Sequence, residues 1–122
     1  ASDVYKRQVQ GLPQYFEPTA EILRLAGGVE GVKAGLIASG DQFVDNAVDL
    51  ARIKDLYPDV LAVDMESAAI AHVCYLSNVS FLSVRVISDT PGEVDNTAQY
   101  AHFWEDAPKQ TFRVLVDFLS IL

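Results

Sequence analysis

Three short apolar runs, at residues 32–39, 60–64 and 80–87, alternate with segments whose apolar residues recur at helical spacing. That alternation restricts the possible folds more than any other feature of the chain. Strand, helix and strand in succession make a βαβ unit, whose strands run parallel. The chain is therefore predicted to be α/β, with a mixed, mainly parallel sheet flanked by helices. Three strands are too few to complete such a sheet, and their apolar faces call for further strands beside them and helices over them.

Local signals place the helices. Residues 18–26 carry Ile22, Leu23 and Ala26 ahead of a Gly27-Gly28 stop. Gly40-Asp41 turns the chain after the first strand. Residues 46–56 carry Ala47, Leu50, Ala51 and Ile53 on a helical period, with Asn46 as N-cap and Pro58 beyond the end. Residues 66–76 form a third helix, predicted to turn Ala69, Ile70, Val73 and Cys74 toward the core. Residues 90–97, with Pro91, Gly92, Asp95 and Asn96, read as a loop. From about residue 98 to 122 the pattern is helical, with a break expected near Pro108. Its last turns carry an apolar stripe of Phe112, Leu115, Val116, Leu119 and Leu122.

Charge and cysteine content narrow the function. The net charge of −8 argues against nucleic acid or an anionic membrane as partner, since phosphate binding needs clustered Lys and Arg. No apolar run approaches the length of a membrane span, and no signal-peptide pattern opens the chain. Cys74 is the single cysteine, which points to a reducing, cytoplasmic compartment. No Cys/His cluster has zinc-ligand spacing, so a metal site has little support. His72 and Cys74 fall two apart on a predicted helix and point in different directions, which rules out a Cys–His nucleophile. Cys74 reads as a small core residue and His72 as a helix-surface or interface residue.

Two of the strand-like runs lead into carboxylates: Asp64-Met65-Glu66 after the second and Ser88-Asp89 after the third. In an open α/β sheet the carboxyl ends of strands converge on one crevice, where ligands bind. Two carboxylates with separate tasks suit cleavage of a glycosidic bond, one contacting the sugar and one protonating the leaving group. Each also has a plain structural reading. Asp89 could cap the following loop, and Glu66 could sit in a helix first turn, favoured by the helix dipole. Met65 could simply fill the core, Phe43 could be a loop aromatic over it, and Arg85, inside a strand, could be a structural ion-pair partner.

The segments Gly35-Leu36-Ile37-Ala38-Ser39-Gly40-Asp41-Gln42-Phe43-Val44, Asp64-Met65-Glu66, Ala71-His72-Val73-Cys74 and Arg85-Val86-Ile87-Ser88-Asp89, in that order and spacing, resemble the C-terminal half of the 5′-methylthioadenosine/S-adenosylhomocysteine nucleosidases. These belong to the nucleoside phosphorylase superfamily. The resemblance is good from about residue 32 to 89 and looser in the final helix. It implies a three-layer, nucleoside phosphorylase-like fold and hydrolysis of a nucleoside without metal or cofactor.

The resemblance also implies roles. Asp89 would protonate adenine N7, oriented by Ser88. Glu66 would accept hydrogen bonds from the ribose hydroxyls, and Met65 would pack on the sugar. Phe43 would stack on the purine, with Val44 offering its backbone. Asp64 stands where relatives often have Glu, and receives no role. The partner implied is a small-molecule nucleoside, with a homodimer for the full-length protein.

Residues 1–8 resemble the translation of a sequencing-library adaptor, so native sequence is expected to begin near Val9, and 9–122 to be the C-terminal half of the domain. The water-activating carboxylate that the resemblance calls for has no counterpart here, and the fragment alone is expected to be inactive. The stretch 90–104, with Pro91-Gly92 and the aromatics Tyr100, Phe103 and Trp104, departs from the family pattern and leaves the 5′ substituent open. A phosphate-using phosphorylase and a non-catalytic nucleoside-binding fragment stand as alternatives.

Overall fold

The computed structural model describes residues 11–92 and 96–122. The elements run α1 (Ala20–Gly27), β1 (Leu36–Ser39), α2 (Ala47–Leu56), β2 (Val60–Asp64), α3 (Ser67–Leu76) and α4 (Asn96–Ser120). The octapeptide assigned to an adaptor lies outside the described residues, as does the 93–95 part of the expected loop.

Caps begin both of the first two helices. The Thr19 hydroxyl accepts from the Ile22 amide at 3.3 Å, and Asn46 Oδ1 accepts from the Asp49 amide at 2.9 Å. Each satisfies an N–H that a helix start leaves without an internal partner. α2 ends at Leu56 with Tyr57 as C-cap, just before Pro58, whose missing N–H suits a stop.

β1 and β2 form a parallel pair with α2 as the crossover, so the expected βαβ unit is present. Ile37 pairs with Ala62, Ala38 with Val63 and Ser39 with Asp64. The register slips between Leu36 and Ile37, skipping Leu61. The Leu61 side chain lies over Gly35, where any Cβ would overlap it. The first strand is shorter than predicted, because only 36–39 reach ladder partners on β2, and it is half-buried.

Three expectations are corrected. Residues 80–87 form no strand among the described residues. The stretch is rich in strand-forming residues, but strand assignment needs a hydrogen-bonded neighbour, and the sheet described has two strands. It is tied in by side chains instead, with Ser83 and Arg85 reaching the start of α3. The second correction is the orientation of α3. Its buried residues are Ser67 and Ala71, with Cys74 half-buried, while Ala69, Ile70 and Val73 face outward. Small side chains let the helix approach β1 closely, which outweighs the apolar stripe. Third, α4 runs 25 residues straight through Pro108. One turn on from the proline, the Thr111 hydroxyl donates to the Ala107 carbonyl at 2.7 Å.

The apolar residues buried among those described are small: Ala26, Val29, Ala71 and Ala107. Phe112, Leu115, Val116, Leu119 and Leu122 of the predicted stripe are all exposed. The inner face of the β pair opens into a broad trough of about 2010 Å³. That is well beyond the roughly 300–1,000 Å³ of a small-ligand pocket. The trough is a largely apolar, uncovered sheet face, and Ser39, Asp64, Arg85, Phe43 and Val44 are among the residues that line it.

Candidate active site

The rim begins where the strands end. Ser39 closes β1 and Asp64 closes β2, as direct register partners. Just past them come Phe43-Val44 on one loop and Met65-Glu66 on the other. Both loops therefore leave the sheet at the same edge, as the sequence implies for a parallel pair.

Both strand ends also serve α3. Asp64 Oδ1 accepts from the Ser67 amide at 3.1 Å, and the Ser67 hydroxyl donates to Asp64 Oδ2. Ser39 Oγ accepts from the Ala68 amide at 3.0 Å. Two of the orphan donors of the first turn are thereby met from the sheet. Glu66 occupies the cap position itself but makes no side-chain cap bond. Its carboxylate is spared for other partners, and 63% of its side chain is exposed.

Arg85 joins these groups. Its Nη2 lies 2.7 Å from Asp64 Oδ2 and 3.2 Å from Glu66 Oε2, and donates to Ser67 Oγ at 3.3 Å. Ser67 and Ser83 hydroxyls meet at 2.8 Å. The Asp64 end of the pair is enclosed, with 8% of its side chain exposed, and the Glu66 end is open to solvent. Exposed ion pairs contribute little stability, so the Arg85–Glu66 contact orients more than it stabilises. Desolvation pushes the Asp64 carboxyl up. The hydroxyls of Ser67 and Ser39, the Ser67 amide and the Arg85 charge outweigh it, leaving Asp64 below the ordinary carboxylate value.

The remaining predicted residues lie on the two loops and after Arg85. Phe43 is 73% exposed, and Met65 is also exposed. Val44 is half-buried and lines the trough together with Phe43. The Ser88 hydroxyl donates to Asp89 Oδ1 at 2.5 Å, and both residues are half-buried. The structure thus brings Glu66 together with Arg85 and Asp64, and Ser88 with Asp89. Of the aromatics after Asp89, Phe103 is half-buried, and the side chains of Tyr100 and Trp104 lie outside the described set.

Asp64, Ser39 and Ser83 were missed as members of this cluster. Asp64 had a readable signal: an Asp three residues ahead of a Ser that opens an apolar helical run is a capping pattern. Ser39 and Ser83 had none, since they meet α3 only through the tertiary fold. His72 is half-buried and stacks on Phe16, with ring centroids 5.6 Å apart and planes 22° apart. Among the described residues, no three His, Cys, Asp or Glu side chains are grouped to hold a metal ion.

A family model for the phosphorylase superfamily matches residues 2–120. The 5′-methylthioadenosine/S-adenosylhomocysteine nucleosidase of Actinobacillus succinogenes is 38% identical over 122 residues, covering 96% of this chain and 53% of that protein. The S-adenosylhomocysteine nucleosidase of Streptococcus pyogenes, solved in complex with 5-methylthiotubericidin, superposes with a TM-score of 0.81 at 33% identity. The match covers 94% of this chain and 50% of that one. The Colwellia psychrerythraea nucleosidase, solved with adenine, gives 0.79 at 28% identity, over 93% of this chain and 49% of that one. The chain spans about half the length of the relatives it matches. These likenesses bear out the α/β, nucleoside phosphorylase-like fold read from the sequence.

Proposed function

Since this chain belongs to the phosphorylase superfamily, we propose that it carries the purine and ribose side of a site that hydrolyses the N-glycosidic bond of 5′-methylthioadenosine or S-adenosylhomocysteine, releasing adenine. The observation that carries this reading is the start of α3. Capping is done by Asp64 and Ser39, which leaves the Glu66 carboxylate exposed and held by a single cation. Similarity to nucleosidases solved with adenine and with a nucleoside analogue supports the same substrate class.

In this reading Phe43 stacks on the purine and the Val44 backbone hydrogen-bonds it. Met65 packs on the sugar. Glu66 accepts from the ribose hydroxyls and stabilises the positive charge that develops as the bond breaks. Asp89, oriented by Ser88, gives the departing adenine its proton, because an adenine anion leaves poorly. Water is favoured over phosphate as nucleophile because Arg85 is engaged by two carboxylates and has little charge to offer an anion.

The ligand is a small molecule, and the acidic balance of −8 disfavours nucleic acid and anionic membranes. Among the described residues, no helix is long and apolar enough to cross a membrane. We place the full-length protein in the cytoplasm as a homodimer, which the outward apolar residues of α3 and α4 support. The test is adenine release from 5′-methylthioadenosine, with and without phosphate. It is measured on the 122-residue chain and on the chain extended to the length of its relatives. Release by the extended chain without phosphate is expected. Release that requires phosphate would replace hydrolysis with phosphorolysis.

A further inference from the structure

We propose that Asp64 is a positioning residue that sets the Glu66 carboxylate through Arg85; this rests on the reading of Glu66 as the ribose contact. Asp64 is the most enclosed of the three charged groups and the best anchored. Its backbone is paired in β2 opposite Ser39. Oδ1 is taken by the Ser67 amide, and Oδ2 by the Ser67 hydroxyl and by Arg85 at 2.7 Å. Glu66 has no comparable anchor. It is bonded to Arg85 at 3.2 Å and otherwise faces solvent.

The order of burial gives the direction of control. An enclosed carboxylate whose lone pairs are already in use holds a guanidinium in one place. That guanidinium then offers one nitrogen to Glu66 and leaves the rest of the Glu66 carboxylate for a ligand. Remove the Asp64 charge, and Arg85 loses its nearest counter-charge. It is then free to take Glu66 in a two-pronged pair, the geometry guanidinium and carboxylate prefer. The Glu66 oxygens would be drawn off the sugar while the purine contacts stay as they were.

Asp64→Asn tests this in the chain extended to the length of its relatives. The amide keeps an acceptor for the Ser67 amide, so the cap survives while the charge goes. Calorimetry with adenine and with 5-methylthiotubericidin gives the two affinities. Expected is a loss of roughly tenfold for the nucleoside analogue, the size of a coupling between contacting charged groups, with adenine unchanged. Adding Arg85→Gln should recover part of that loss, since the competing cation is gone.

A purely structural Asp64 would lower both affinities together, or neither, and either result overturns the proposal. Should the wild-type chain bind neither ligand, the nucleoside reading fails, and the side-chain N–H resonance of Arg85 decides the positioning role. A signal that exchanges slowly in wild type and fast in Asp64→Asn supports it. The same slow exchange in both overturns it.

Discussion

Gly92 lies against Ala47: a Cβ at position 92 would stand 2.5 Å from the Ala47 Cβ, and the Gly92 φ of +87° is one that side-chain-bearing residues rarely adopt. The contact joins the loop that follows Asp89 to the first turn of α2, three residues past Val44. The two loops that flank the proposed purine position are thereby held together by a residue with no side chain. Gly92→Ala should destabilise the fold by about 1–3 kcal/mol, combining a clash with backbone strain. Ala47→Gly in the same chain should relieve the closest contact and leave the strain, together with the 3.1 Å approach to the Cα of residue 47. Denaturant melts of the single and double variants would show it; full recovery would mean that strain contributes nothing.

Asp89→Asn in the extended chain should slow adenine release by about a hundredfold to ten-thousandfold, the usual cost of losing a general acid. The amide keeps the shape and cannot deliver the proton. Steady-state rates, with circular dichroism to check the fold, would measure it. Near-normal turnover would remove Asp89 from the chemistry.

Glu66→Gln should weaken a nucleoside analogue more than free adenine, because the exposed carboxylate is assigned to the sugar. The substitution also frees Arg85 from one of its two carboxylates, so it should leave the stability of α3 close to unchanged. Calorimetry with both ligands tests the assignment, and equal losses would count against it.

Against the upward pull of desolvation, the Ser67 and Ser39 hydroxyls, the Ser67 amide and the Arg85 charge hold the Asp64 carboxyl below its ordinary value in the folded chain. A depressed carboxylate contributes stability above its unfolded pKa and loses it as pH falls through the folded pKa. The contribution of Asp64 should therefore be constant from pH 5 to 8, and should disappear progressively below about pH 4. Thermal melts of wild type and Asp64→Asn across that range should converge at the acid end. A gap that does not shrink at all as pH falls below about 4 would show that the charge of Asp64 is not what stabilises α3.

The 122-residue chain alone should self-associate. Phe112 and Leu119 on α4, Leu122 just beyond it, and Ile70, Val73 and Leu76 on α3 are all exposed, and exposed apolar surface drives association. Sedimentation velocity at increasing concentration would report it; a monodisperse monomer throughout would contradict the expectation.

Local rules carried the sequence a long way in some elements and failed in others for identifiable reasons. Asn46 and Pro58 bracket α2 in the sequence as they do in the fold, because a cap and a stop act within four residues. Val60–Asp64 was legible as a strand from end to end. The orientation of α3 was not, since its apolar side chains are the larger ones and the packed side is chosen by how closely β1 can approach. Pro108 signalled a break that α4 does not make. In the candidate site, Glu66 could be singled out from its motif. Its release from capping could not, because that depends on Ser39, which is 29 residues from the amide it accepts.

The pairing of Ser39 with Asp64 makes the rim separable from the frame beneath it. The ladder from Ile37 to Ser39 is closed before either loop begins. Changes at positions 41–44 or 65–66 can therefore alter what meets a ligand while the register stays fixed. A chain built this way can vary its loops by single substitutions, each tested against a skeleton that does not have to be refolded to accept it.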